Sequence, residues 1–235
     1  NRLMSLLLVK NGLSHSAMFG PKGNVLQASE ALYKKNVLVL RGRFRPVTNV
    51  SVDMMLNGLK VIKEESEMEK SHLLAITELA LHDLTLAGEI DEADYLDRVD
   101  LLCALGQTVL ISNYREHYKL ASYLSNITQR MKLRIICGLG NLKDIFDESY
   151  YKNLKGGIIE SFAQLFALNV KIYVYPALID EKIKTIHDFV PSHHLIDLYK
   201  FLISNEKIIG IKGAKTSLLS IVSDEVLSLI KKGDK

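Results

Sequence analysis

At 235 residues, 48% hydrophobic and 24% charged, the chain is long enough to bury one sizeable core or two smaller ones and too apolar to remain disordered. Its 30 basic residues against 27 acidic ones leave a net charge of +3 without a single-sign field, and no basic stretch is interleaved with aromatics, so a nucleic-acid partner is excluded. The longest apolar runs fall far short of the ~20 residues that span a bilayer, so no membrane partner is expected.

The first apolar run, MSLLLVK (4–10), reads as a strand. The chain opens at Asn1 and enters that run almost at once, which makes it a candidate fragment of a longer protein. NGLSHSAMFGPKGN (11–24) then reads as a loop holding Gly12, Gly20, Gly23, Ser14, Ser16 and Lys22; it fits neither glycine-rich phosphate motif. Five further strands follow at 36–42, 72–79, 108–112, 133–139 and 170–176. Most are apolar on both alternating faces, as strands covered on both sides are. Between them run helical patterns. DEADYLDRVDLLCALG offers Asp91 as a cap, an apolar stripe of Leu96, Val99, Leu102, Cys103 and Leu105, and Gly106 as a stop. NYREHYKLASYLSNITQRM, from Asn113, packs Tyr114, Tyr118, Leu120, Ala121, Leu124 and Ile127 with His117 beside them. Cys103 and Cys137 sit in apolar runs, which predicts buried thiols and a reducing, cytoplasmic setting.

This alternation predicts an α/β fold, a Rossmann-like three-layer sandwich with a mostly parallel sheet. One domain is expected over 1–235, with 181–235 as a helix, short strand and helix that extend it.

In such folds ligands sit at the carboxyl ends of the strands, beside helix N-termini. The segment VLRGRFRPVTNVSVD is the first candidate. If the backbone stays extended, Arg41, Arg43 and Arg45 share one face, and an anion between them relieves their repulsion with bidentate hydrogen bonds. The competing reading pairs them with carboxylates across a surface or a homo-oligomer seam. Pro46 sets the turn, and Thr48, Asn49 or Ser51 can cap a helix whose first turn includes Asp53. Glu78, His82 and Asp83 after the next strand offer acid/base groups, or an ordinary surface connection. Ser112, Asn113 and Arg115 form a further anion-binding candidate at a helix start, unless Ser112 is simply the cap. His193 and His194 are adjacent, with no Cys, Asp or Glu completing a metal spacing, so no metal site is expected there. Tyr150 and Tyr151 read as packing.

GRFRPVTNV (42–50) resembles the GRF-x-P-x-H-x-GH segment of the nucleotidyltransferase superfamily that includes nicotinate and nicotinamide mononucleotide adenylyltransferases. ISNYR (111–115) is loosely similar to their downstream IS-x-x-x-R phosphate-binding segment. Over about residues 36–230, through GEIDEADYLDRVDLLCALGQTVLISNYREHYKLASYLS and GGIIESFAQLFALNVKIYVYP, the chain also resembles a little-characterised family of longer bacterial proteins. Its members are often labelled nicotinate-nucleotide adenylyltransferase and sometimes TonB-dependent receptor.

The resemblance implies nucleotide binding and, in an enzyme, nucleotidyl or phosphoryl transfer with Mg²⁺, with the arginines steadying the phosphates and Asp53 a candidate for metal or ribose. Thr48 and Ser51 stand where the superfamily's histidines stabilise the transferring phosphate, and Val50 replaces its glycine. The motif follows the second visible strand, whereas in those enzymes it follows the first. The expected partner is a phosphorylated small molecule or nucleotide; the alternative is a non-catalytic scaffold or oligomerisation module with an arginine-rich face.

Overall fold

The apolar run that opens the chain is a helix, not a strand. The computed structural model describes residues 2–65, 72–81 and 92–233, and in it α1 spans Arg2–Lys10. Leu, Met and Lys are strong helix formers, and Val9 is the one β-branched residue of that run, so its composition does not favour a pleated backbone. Leu6 and Val9, three residues apart, form the buried stripe. The glycine-rich stretch after it is a short hairpin rather than a plain loop: β1 (Ser16–Phe19) pairs antiparallel with β2 (Val25–Leu26). Gly23, at φ +71°, supplies the left-handed backbone of its turn.

After the short α2 (Ala28–Ala31) come β3 (Asn36–Arg41), α3 (Asn49–Glu64), β4 (Leu73–Ala80), α4 (Glu92–Ala104), β5 (Thr108–Ser112), α5 (His117–Ile127) and β6 (Leu133–Gly138). Then follow α6 (Asn141–Ile145), a 3-10 turn at Glu148–Tyr151, α7 (Gly157–Leu165) and β7 (Val170–Tyr175). A separate hairpin of β8 (Ala177–Ile179) and β9 (Lys182–Lys184) leads to α8 (Ile196–Ser204), β10 (Ile208–Gly210) and α9 (Ser223–Lys232). The proposed cap Asp91 lies outside the described residues. At the other end of α4 the chain turns at Gly106, φ +77°.

The main sheet runs β10-β7-β6-β3-β4-β5-β1-β2. The six strands from β10 to β5 are parallel, and β1 and β2 add an antiparallel edge beyond β5. Because residues 2–10 are helical, β3 is the first parallel strand. Counted from it, the six follow the order 3-2-1-4-5-6, the doubly wound Rossmann-like arrangement, whose direction reverses between β3 and β6. The loop carrying GRFRP therefore leaves the first parallel strand, at the point where the order reverses.

β3, β5, β6 and β7 are buried on both faces. Val37, Val39, Ile135 and Ile172 pack with Leu120 of α5, Phe162 of α7 and Tyr199 of α8. Leu38, Leu40, Ile136 and Tyr173 pack with Leu6 of α1, Met55 of α3 and Val99 of α4. Three layers result, helices over sheet over helices. Gly58 lets α3 approach the sheet: a Cβ there would lie 2.3 Å from Ile136 Cδ1. Cys103 and Cys137 are both buried, and burial pushes the Cys137 thiol up to about 12, too high for a nucleophile near neutral pH.

Candidate functional site

The alternation of β3 decides where its last residue points. Val37 and Val39 face the α5–α7 layer, so Arg41 turns toward that layer too, at the carboxyl edge of the sheet. There it meets a cleft of about 510 Å³, lined by Arg41, Gly42 and Arg43 from the end of β3, Arg115, Glu116 and His117 from the start of α5, Asn141 and Asp144 of α6, and Tyr150 and Tyr151. The cleft straddles the reversal between β3 and β6, where this class of sheet opens a crevice for ligands.

Arg41 is held from two sides. Its Nε lies 3.2 Å from Glu78 Oε2 on the neighbouring strand, and its Nη2 donates to the Tyr114 carbonyl. Glu78 is wholly buried and also accepts a 2.5 Å hydrogen bond from Ser112 Oγ on β5. Three adjacent parallel strands thus supply an Arg–Glu–Ser chain across the carboxyl edge. Arg41 Nη1, though buried, has no hydrogen-bond partner among the described residues. Neither does His117 Nε2, at the head of α5. Burial drives the His117 imidazole well below its usual range, and the Arg41 charge adds to the shift, so the ring is neutral near pH 7. A buried polar atom left without a partner costs about 1–3 kcal/mol, so two beside one cleft call for an explanation. At the cleft wall the Arg115 guanidinium stacks on the Tyr150 ring, 4.9 Å from its centroid.

The three arginines of the β3 turn do not share a face. The backbone leaves the extended path at Phe44, whose φ of +48° carries it into the left-handed region, and the ring turns into the core. The guanidiniums go to separate carboxylates instead. Arg43 lies 3.3 Å from Asp224 of α9, and Arg45 lies 3.5 Å from Asp94 of α4, which also pairs with Arg98. Arg43 lines the first cleft and also a second one of about 370 Å³ on the α3 side, with Arg41, Arg45, Thr48, Ser51, Arg98 and Asp224.

The other candidate residues are placed as follows. Thr48 is the N-cap residue of α3, without a side-chain cap bond, and Asn49 is the exposed first residue of that helix. Asp53 lines neither cleft: its carboxylate accepts from Tyr175 Oη (2.6 Å), Asn57 Nδ2 (2.8 Å) and the Lys215 amide (3.3 Å), tying α3 to β7 and the C-terminal segment. Ser112 is buried beneath Glu78, and Asn113 is exposed, its amide donating to the His15 carbonyl. Of the nine, Arg41, Arg43 and Arg115 meet at the switch-point cleft. His82 and Asp83 lie outside the described residues. His194 pairs with Glu148 at 2.6 Å.

Asn141, Asp144 and His117 are cleft residues that sequence reading did not assign to a site. Their signal is modest: GLGNLKD puts one glycine at the end of an apolar strand and another two residues on, and His117 follows the Arg115 already singled out. Tyr151, read as packing, is buried and donates to the Ile145 carbonyl, while Tyr150 carries Arg115.

No protein-family model matches the chain, and no curated protein matches it. Among solved structures it is similar to a Plasmodium falciparum nicotinic acid mononucleotide adenylyltransferase complexed with APC, with 12% identity, 81% of each chain covered and a TM-score of 0.46.

Proposed function

We propose that the chain binds a phosphorylated small molecule or nucleotide in the switch-point cleft, with nucleotidyl or phosphoryl transfer as the reaction class. The observation that carries this reading is the convergence of Arg41, Arg43 and Arg115 on one cleft at the carboxyl edge of the sheet, beside the N-terminus of α5. Guanidiniums and helix N-termini both favour phosphate oxygens. The GRFRP segment also leaves the first parallel strand, the position that its resemblance to nucleotidyltransferases requires.

Thr48 and Ser51 stand where that resemblance calls for histidines, and they face the second cleft. Charge stabilisation therefore falls to the arginines. Glu116 and Asp144 give the switch-point cleft hard carboxylate oxygens, the donor type with which one or two side chains and a substrate phosphate hold Mg²⁺. The scaffold reading is weaker because Arg43 and Arg45 already face carboxylates of their own chain.

A thermal-shift panel of nucleotides, sugar phosphates and dinucleotides tests the proposal. A ligand at 100 times its Kd adds about 2.7 kcal/mol, on the order of 5–10 °C for a chain of this size. Arg115→Ala should remove most of that shift. A flat panel, or a shift unchanged by Arg115→Ala, would reject the site.

A further inference from the structure

We infer that Arg41 Nη1 and His117 Nε2 together form the seat for a phosphoryl oxygen of a phosphomonoester, with His117 as a ligand-binding residue of the cleft. The inference rests on the proposed function and makes it more specific. Among the described residues, these two nitrogens are buried, unpartnered and carried by side chains that line the same cleft. They come from separate elements, the end of β3 and the first turn of α5, so no local turn chemistry explains the pair.

The Arg41 side chain is only 7% exposed and cannot swing to water for a partner, because Glu78 and the Tyr114 carbonyl hold its other two nitrogens. What remains is a fixed donor for which the described residues supply no acceptor. The imidazole is kept uncharged by burial and by the same guanidinium, so it serves as a donor in the tautomer with its proton on Nε2. One guanidinium N–H and one imidazole N–H, backed by the helix N-terminus, are three features that each select an anionic oxygen. Arg115, stacked on Tyr150 farther along the wall, is placed for the remainder of the ligand or a second phosphate oxygen.

This assignment has an unusual signature. A histidine kept for packing loses stability when replaced. A histidine whose buried nitrogen lacks a partner should not, because exchanging an unsatisfied polar group for an apolar one is neutral or stabilising.

The experiment is isothermal titration of the full chain with inorganic phosphate, AMP and acetate, for the wild type, His117→Leu, His117→Gln and Arg115→Ala, with the unliganded Tm of each. The wild type should bind phosphate and AMP but not acetate. His117→Leu should weaken both phosphoryl ligands at least tenfold, about 1.4 kcal/mol, while its unliganded Tm holds or rises. His117→Gln, which keeps an amide donor near the Nε2 position, should fall between them. In ¹⁵N spectra of the wild type, the His117 Nε2 signal should move on adding phosphate. Undiminished binding by His117→Leu overturns the seat, and if Arg115→Ala still loses binding, the proposed function survives it. A lowered unliganded Tm in His117→Leu with unchanged affinity makes the residue structural and likewise overturns it. No binding of phosphate or AMP by the wild type overturns the proposed function and the seat together.

Discussion

The two ends of the sheet each bury an arginine against a glutamate, and the two pairs are finished differently. At the amino edge, Arg134 gives Nε and Nη2 to the two oxygens of Glu65 at 2.8 and 2.5 Å, and Nη1 to the carbonyls of Leu133 and Asn169 at 3.0 Å each. Glu65 also accepts from the Tyr173 hydroxyl. At the carboxyl edge, Arg41 has Glu78 and one carbonyl, and its Nη1 has no partner among the described residues. The completed pair is structural in character, and the open donor at the carboxyl edge is what the proposed seat rests on. Burial alone does not separate them, since both guanidiniums are nearly inaccessible.

The comparison can be broken most forcefully at Arg134. Removing it leaves Glu65 in a half-buried place without its main partner, and losing one member of a buried pair typically costs about 3–5 kcal/mol. Arg134→Ala should lower the denaturation midpoint by that order and leave ligand affinity unchanged in whatever folded fraction remains. An effect on affinity would mean that the two edges are not separable in role.

Next in size is Gly58→Ala. The new methyl would press on Ile136, which packs against the reversal of the sheet, and overpacking a filled core typically costs about 1–3 kcal/mol. Equilibrium denaturation reads this directly. A neutral result would show that α3 can move away from β6 without penalty.

Acid should act on the two ends in separate windows. His117 is held below its usual range by burial, so beneath pH ~6.5 the unfolded chain takes up a proton that the folded chain refuses. Stability from that group is complete above ~6.5 and declines as the pH falls below it. Burial pushes the Glu65 carboxyl up, but hydrogen bonds from Arg134 and Tyr173, together with the Arg134 and Lys171 charges, outweigh burial and hold it below its usual value of 4.5. Its contribution is therefore present above 4.5 and lost as the pH drops through the lowered folded-state value. His117→Leu should erase the first decline and keep the second, as measured by Tm against pH.

The smallest effect is expected at the exposed Arg43–Asp224 pair, where Asp224→Ala should change stability by no more than about 0.5 kcal/mol. A larger loss would show that α9 is held to the β3 turn more firmly than one solvent-screened ion pair allows.

The parallel sheet was legible because β3, β5, β6 and β7 are rich in Val and Ile and apolar on both faces. MSLLLVK misled because a short apolar run, here with Val9 as its one β-branched residue, has no period that tells a strand from a short helix. Ser16–Phe19 was hidden by its four-residue length and the glycines around it; its pairing with β5 is a long-range fact. Arg41 was readable as a strand-end cation. The shared face of three arginines was not, because it hung on Phe44 staying extended, and a left-handed phenylalanine carries no sequence signal of its own. His117, Asn141 and Asp144 join the cleft only when α5 and α6 come together over β3 and β6, an assembly no local pattern encodes.

The most direct test of the central claim is the position of a bound phosphate. In a crystal of the full chain grown with AMP, the phosphorus should lie in the switch-point cleft, with one oxygen within hydrogen-bonding distance of Arg41 Nη1 and another group of the ligand against Arg115. A phosphate seated instead in the second cleft beside Thr48 and Arg98, or a switch-point cleft holding only water at saturating AMP, would contradict it.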